Sequence, residues 1–132
     1  MPMNPSQFSV NEAWIFFQLN YEPIPTEMDG DLNCFALMDA ASLFILSSTL
    51  VKGGSLSSST DEIGKLFQSA YSHKQVWPER LFVQKGLQVS PLESEAESRS
   101  IKVVPVQKAE ISVFTREACQ AFKAHIQAGL GQ

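Results

Sequence analysis

In the stretch Phe35-Ala36-Leu37-Met38-Asp39-Ala40-Ala41-Ser42-Leu43-Phe44-Ile45-Leu46 two apolar runs flank a short polar break. Residues 32–38 (LNCFALM) and 43–49 (LFILSST) are each too short for a sound helix, and both read as strands. Asp39-Ala40-Ala41-Ser42 reads as the tight turn between them, because an Asp side chain can bond its own backbone there. Upstream, 13–19 (AWIFFQL) is aromatic and β-branched and predicts another strand. The intervening 20–31 carries Pro23, Pro25, Asp29 and Gly30, which predicts a loop or hairpin connection. Three strands with short connections predict an antiparallel meander.

Downstream of the meander the periodicity changes. Lys52 to Ser58 is rich in Gly and Ser and reads as a loop. Ser59 with Glu62 three residues on forms a capping-box pattern. Ile63, Leu66, Phe67, Ala70 and Tyr71 then follow at the spacing of one helical face, until Val76-Trp77-Pro78 ends the helix. Residues 80–84 (RLFVQ) form a short apolar run between Pro78 and Gly86, the pattern of a buried, central strand. Pro91 opens a short acidic helix over 91–98, and 101–106 (IKVVPV) predicts a strand that Pro105 marks as an edge. Residues 111–114 read as an extension of that strand or a further one. Thr115 is expected to cap a last helix whose Cys119, Phe122, Ile126 and Leu130 share one face, with Gly129 and Gly131 near its end. The expected order is βββαβαβα in a mixed five- or six-stranded sheet, an α/β fold. Its first three strands are antiparallel, and its later strands are joined by right-handed crossovers. Residues 1–10 are read as a loose lead-in and 11–132 as one domain.

The chain of 132 residues can bury a sizeable core, and 44% apolar residues with nine Phe argue against disorder. The net charge of −4, with ten basic residues and no two adjacent, gives no clustered cationic surface for phosphates. Nucleic acid is therefore disfavoured as a partner. Cys34 and Cys119 are too few for a disulfide framework and read as buried, reduced core residues. No signal peptide is readable at the N-terminus, and no apolar run approaches the ~20 residues of a membrane span. A cytoplasmic location without membrane contact is expected.

The element order resembles the ribonuclease H-like fold of retroviral integrases and DDE transposases. The quoted stretch from Phe35 to Leu46 is similar to the second and third strands of an integrase core, and the helix over 59–72 to its first helix. Trp77-Pro78-Glu79-Arg80-Leu81-Phe82-Val83-Gln84-Lys85-Gly86 is similar to its fourth strand and following turn. The resemblance spans roughly residues 12–128, and a related bacterial domain family of uncharacterised function has the same layout. Enzymes of this fold hold two Mg²⁺ or Mn²⁺ ions with carboxylates that clamp phosphate oxygens. Here the resemblance implies a departure. No acid lies between Glu12 and Glu22 on the first strand, and Gln84 stands at the end of the fourth. Asp39 lies in a turn that is not a ligand position of the family. Glu110 and Glu117 lie near the last helix, where a third acid can occur. Gln84, Asp39 and Glu117 are thus positions of a vestigial site, with no catalytic residue, metal ligand or cofactor expected.

Other constellations read blandly. His73 suits the end of a helix, and His125 the edge of a core. Cys119 and His125 are six apart on one helix and do not face each other. Gly53-Gly54-Ser55 lacks the Lys and spacing of a phosphate loop. Glu93, Glu95 and Glu97 read as the solvated face of a short helix. Trp14, Phe16 and Phe17 point to both faces of their strand, so either both faces are covered or one meets a partner. The uncharged run at 43–49 has no edge protection. The reading is of a non-catalytic ribonuclease H-like binding or protein-interaction module, a homodimer or a protein's partner. An enzyme with unplaced ligands, or a nucleic-acid-associated relic of a nuclease or transposase, stays open.

Overall fold

The computed structural model describes residues 4–20, 24–25, 31–52, 60–85 and 90–130. After a 3₁₀ turn at Pro5–Gln7 come β1 (Ala13–Gln18), β2 (Ile24–Pro25), β3 (Asp31–Asp39), β4 (Ile45–Lys52), α1 (Thr60–Lys74), β5 (Arg80–Gln84), α2 (Ser90–Glu97), β6 (Lys102–Val106) and α3 (Lys108–Leu130). These form one mixed sheet. β3 pairs antiparallel with β1 on one side and β4 on the other, β5 pairs parallel with β1, and β6 parallel with β5. The short β2 continues the β1 side of the β1–β3 hairpin, with Ile24 opposite Leu32. The main path across the sheet is therefore β4-β3-β1-β5-β6, with β1 at its centre and β5 flanked on both sides.

The alternation of side chains along β1 sends its aromatic load to two cores. Trp14 and Phe16 join Leu37, Leu81 and Val83 under Ile63, Leu66 and Phe67 of α1 and Leu92 and Ala96 of α2. Ala13, Ile15 and Phe17 join Ala36, Met38 and Phe82 under Ile111, Phe114 and Cys119 of α3. Both faces of β1 are thus covered by the chain's own helices. Phe16 stacks on Phe35 with centroids 5.3 Å apart. Trp77, beyond the end of α1, packs on Trp14, Phe67 and Tyr71. Arg99 lies over Phe67 and Trp77 while its guanidinium meets Glu95 at 2.5 Å. Glu95 is therefore paired rather than merely solvated.

Helix ends follow local rules. Gln75, at φ 57°, stops α1, and its N–H donates to Tyr71 O at 2.6 Å. At the end of α2, Ser100 takes φ 61°, with Ile101 N–H on Ala96 O and Ser100 N–H on Glu97 O, a Schellman stop built without glycine. The capping-box residue Ser59, the loop at 53–58, Gly86 and Gly131 lie outside the described residues.

Two expectations are corrected. Residues 111–114 are not a strand, and Thr115 is not a cap: both lie inside α3, which begins at Lys108. Ile111, Phe114, Thr115 and Cys119 are all buried on one helical face, so a period of 3.6 outweighed the local β propensity of Ile111, Val113 and Phe114. The Glu110 carboxylate reaches back to accept from Gln107 N–H at 3.3 Å and secures that start. β4 begins at Ile45 rather than Leu43, because Leu43 adopts φ 61° and extends the turn after Asp39. In the segment ahead of β1, Asn4 caps the 3₁₀ turn, and the Phe8 ring lies 5.7 Å from Phe82 and 6.0 Å from Phe114.

Candidate functional site

Parallel strands β1 and β5 run side by side, with Ile15 opposite Phe82, and end at Gln18 and Gln84. From β1 the chain continues to β3 on one side of the sheet, and from β5 to β6 on the other. Neighbouring strand ends from which the chain departs in opposite directions leave a crevice, the usual place for a ligand in α/β sheets. A cleft of about 200 Å³ opens there against the flank of α3. Phe17 and Ile111 form its apolar floor, and Gln18, Gln84, Lys108, Ser112, Thr115 and Arg116 supply its polar wall.

The wall is held from behind by an amide network. Asn33 Oδ1 accepts from Gln18 Nε2 at 3.1 Å and from Asn20 Nδ2 at 2.9 Å, and Asn20 Oδ1 accepts from Cys34 N–H at 2.7 Å. Asn20 and Asn33 are each 8% exposed, so this network ties the end of β1 to β3 at depth, where unpaired amides would be costly. The Cys119 thiol donates to Gln18 O at 3.6 Å, and the Thr115 hydroxyl to Ile111 O at 3.3 Å. Cys34 and Cys119 are both buried and unoxidised, and desolvation pushes the Cys34 thiol up from its ordinary pKa.

The three vestigial-site positions do not meet. Gln84 lines the cleft. Asp39 and Leu81 both pair with Trp14, so Asp39 lies three residues back along the strands from Gln84 and two strands across, about 10 Å in each direction. There Asp39 is 2% exposed and builds a turn. Its carboxylate accepts from Asn11 N–H at 2.6 Å, Ser42 N–H at 2.8 Å and Ser42 Oγ at 2.7 Å. Asn11 in turn accepts from Trp14 Nε1 and donates to Val76 O. Glu117 is exposed on α3 and does not line the cleft. His73 is exposed at the end of α1, with its ring against Phe44 at 5.4 Å, beside a second hollow near Asp39. The side chain of His125 lies outside the described residues.

Among the described residues no three His, Cys, Asp or Glu side chains come together as a metal site. The cleft's donors are amides and hydroxyls, with an ammonium and a guanidinium. That set does not fit a pair of divalent cations, which take carboxylate oxygens and would be repelled by Lys108 and Arg116. The sequence reading found Gln84 but missed the rest of the wall. Lys108, Ser112, Thr115 and Arg116 recur at i, i+4, i+7 and i+8, a polar stripe beside the apolar one. That stripe is visible only if the helix starts at Lys108, and reading 111–114 as a strand hid it.

No protein-family model matches the chain, and no curated protein matches it in sequence. Solved structures match it in fold. The catalytic core of BIV integrase superposes with a TM-score of 0.58 at 9% identity, over 92% of this chain and 72% of that one. The HTLV-2 integrase catalytic core in complex with magnesium gives 0.52 at 15% identity, over 77% of this chain and 64% of that one. The intasome of simian T-cell lymphotropic virus in complex with PP2A regulatory subunit B56 gamma gives 0.56 at 12% identity, over 86% of this chain and 37% of that one. The fold is that of the ribonuclease H-like integrase cores, as the strand order implied. No helix among the described residues is long and apolar enough to cross a membrane.

Proposed function

We propose that this chain is a non-catalytic ribonuclease H-like domain that works by binding rather than by phosphoryl chemistry. One observation carries the reading. The crevice at the carboxyl ends of β1 and β5 is lined by Gln18, Gln84, Ser112, Thr115, Lys108 and Arg116, with no carboxylate among its described lining residues. A two-metal reaction needs acids to hold the ions that clamp attacking and leaving oxygens. The degeneracy lies in the substitution of amides and cations for acids at that place. The partner is a protein, and a second copy of this chain is the favoured one. Among the described residues β4 pairs only with β3, and it carries Leu50 at 54% exposure, with Phe44 just before it at 53%. The other edge, β6, carries Lys102 and Pro105, which guard against pairing. The test is calorimetry with Mn²⁺ beside a cleavage assay on DNA and RNA. The expected result is no micromolar Mn²⁺ binding and no cleavage. Micromolar binding, or cleavage lost in the Gln84→Ala variant, overturns the reading.

A further inference from the structure

We infer that the cleft between the ends of β1 and β5 and the flank of α3 binds a phosphate dianion, free or as the head of a small monoester. The inference rests on the reading that no catalytic metal pair occupies this place.

Charge is the first argument. The chain carries a net charge of −4, yet among the described residues the only formal charges lining this cleft are Lys108 and Arg116. Neither forms an ion pair with a described residue. They are eight residues apart, about 12 Å along α3, a span that two long side chains can bridge from both ends. Ser112 lies midway between them on the same flank. A dianion seated between them can accept from both cations at once. A monocarboxylate would neutralise only one of the two.

Donor chemistry is the second argument. The amide of Gln84 and the hydroxyl of Ser112 add neutral N–H and O–H groups to the two cations. Tetrahedral oxyanions need several donors converging from different directions, and hydrogen bonds from charged donors are the strong ones. Size is the third. A volume of about 200 Å³ falls below the range of about 300–1,000 Å³ that takes drug-sized ligands. It suits a compact anion. A polynucleotide would need cations extended along its backbone, and the remaining basic residues are scattered.

The experiment titrates the full chain with inorganic phosphate and, separately, with methyl phosphate, at constant ionic strength in chloride buffer. Backbone amide shifts at Gln84 and Ser112 are followed by NMR. Saturable binding with Kd below about 10 mM is expected, and whichever probe binds more tightly identifies free phosphate or monoester as the source. Lys108→Met and Arg116→Met should each weaken binding about tenfold, the loss of one charge-assisted contact. Lys102→Met and Lys123→Met make the same charge change outside the cleft and should leave Kd within about twofold. Lack of saturation, equal weakening in all four variants, or tighter binding of a single-stranded oligonucleotide through the same residues overturns the inference. A parallel Mn²⁺ titration separates the two claims. Micromolar Mn²⁺ binding sinks the non-catalytic reading, whereas silence toward both Mn²⁺ and phosphate sinks only this one.

Discussion

Replacing Asp39 by Ala tests whether this acid is a relic of a site or a builder of the fold. The carboxylate is 2% exposed and accepts from Asn11 N–H, Ser42 N–H and Ser42 Oγ. Asn11 is half-buried, so its N–H would lose its acceptor with poor access to water, at about 1–2 kcal/mol. Ser42 is exposed, so water can replace its two bonds, and their loss costs about 1 kcal/mol together. These bonds also brace Asn11 at φ 67° and the turn that holds Leu43 at φ 61°, conformations that non-glycine residues adopt reluctantly. The sum is about 3 kcal/mol, a large fraction of the 5–15 kcal/mol typical of a domain. It corresponds to a fall in Tm of about 10 °C. Urea unfolding followed by tryptophan fluorescence is the assay, since Trp14 Nε1 donates to Asn11 Oδ1 and reports the same junction. Asp39→Asn keeps the shape but turns one acceptor into a donor, and should lose about 2 kcal/mol. Ser42→Ala should lose about 1 kcal/mol or less. A loss below about 1 kcal/mol for Asp39→Ala, with unfolding still cooperative, refutes the structural role argued from these bonds.

Three further outcomes are expected. Native-state labelling of Cys34 and Cys119 by a thiol reagent should be slow and become fast in urea, because both thiols are buried and desolvation holds Cys34 in its thiol form well above neutral pH. Labelling as rapid as that of a peptide thiol would contradict this. Light scattering at micromolar concentration should find a dimer, and Leu50→Lys on the exposed edge of β4 should shift it toward monomer. A wild-type chain that stays monomeric rules out self-pairing at that edge. Phe114→Ala removes a ring that is 2% exposed under α3 and should cost about 3–5 kcal/mol. A much smaller loss would mean that residues 111–114 do not pack as a helix on the sheet.

The strands other than the short β2, two of the helices and their order were legible in the sequence because those elements satisfy local rules. The segment 80–84 is bounded by Pro78 and Gly86, and β5 has those ends. The helical face from Ile63 to Ala70 is periodic, and it is the face that α1 buries. Alternation alone sent Trp14, Phe16 and Phe17 to both faces of their strand and left open whether the chain or a partner covers each; the two cores show that the chain's own helices do. What tertiary structure decided was non-local. Residues 111–114 suit a strand by propensity, but the open sheet face beside Ile15, Ala36 and Phe82 rewards a helix that buries Ile111, Phe114 and Cys119 together. Asp39 reads the same on paper whether it binds a metal or a turn. Only the approach of Asn11, 28 residues earlier in the chain, shows which groups it satisfies. The cleft, likewise, exists only once parallel pairing brings the end of β5 beside the end of β1 and α3 packs against them. Its residues come from three elements that no short window of sequence contains, because the spacing that joins them is set by strand pairing and helix packing rather than by neighbours along the chain.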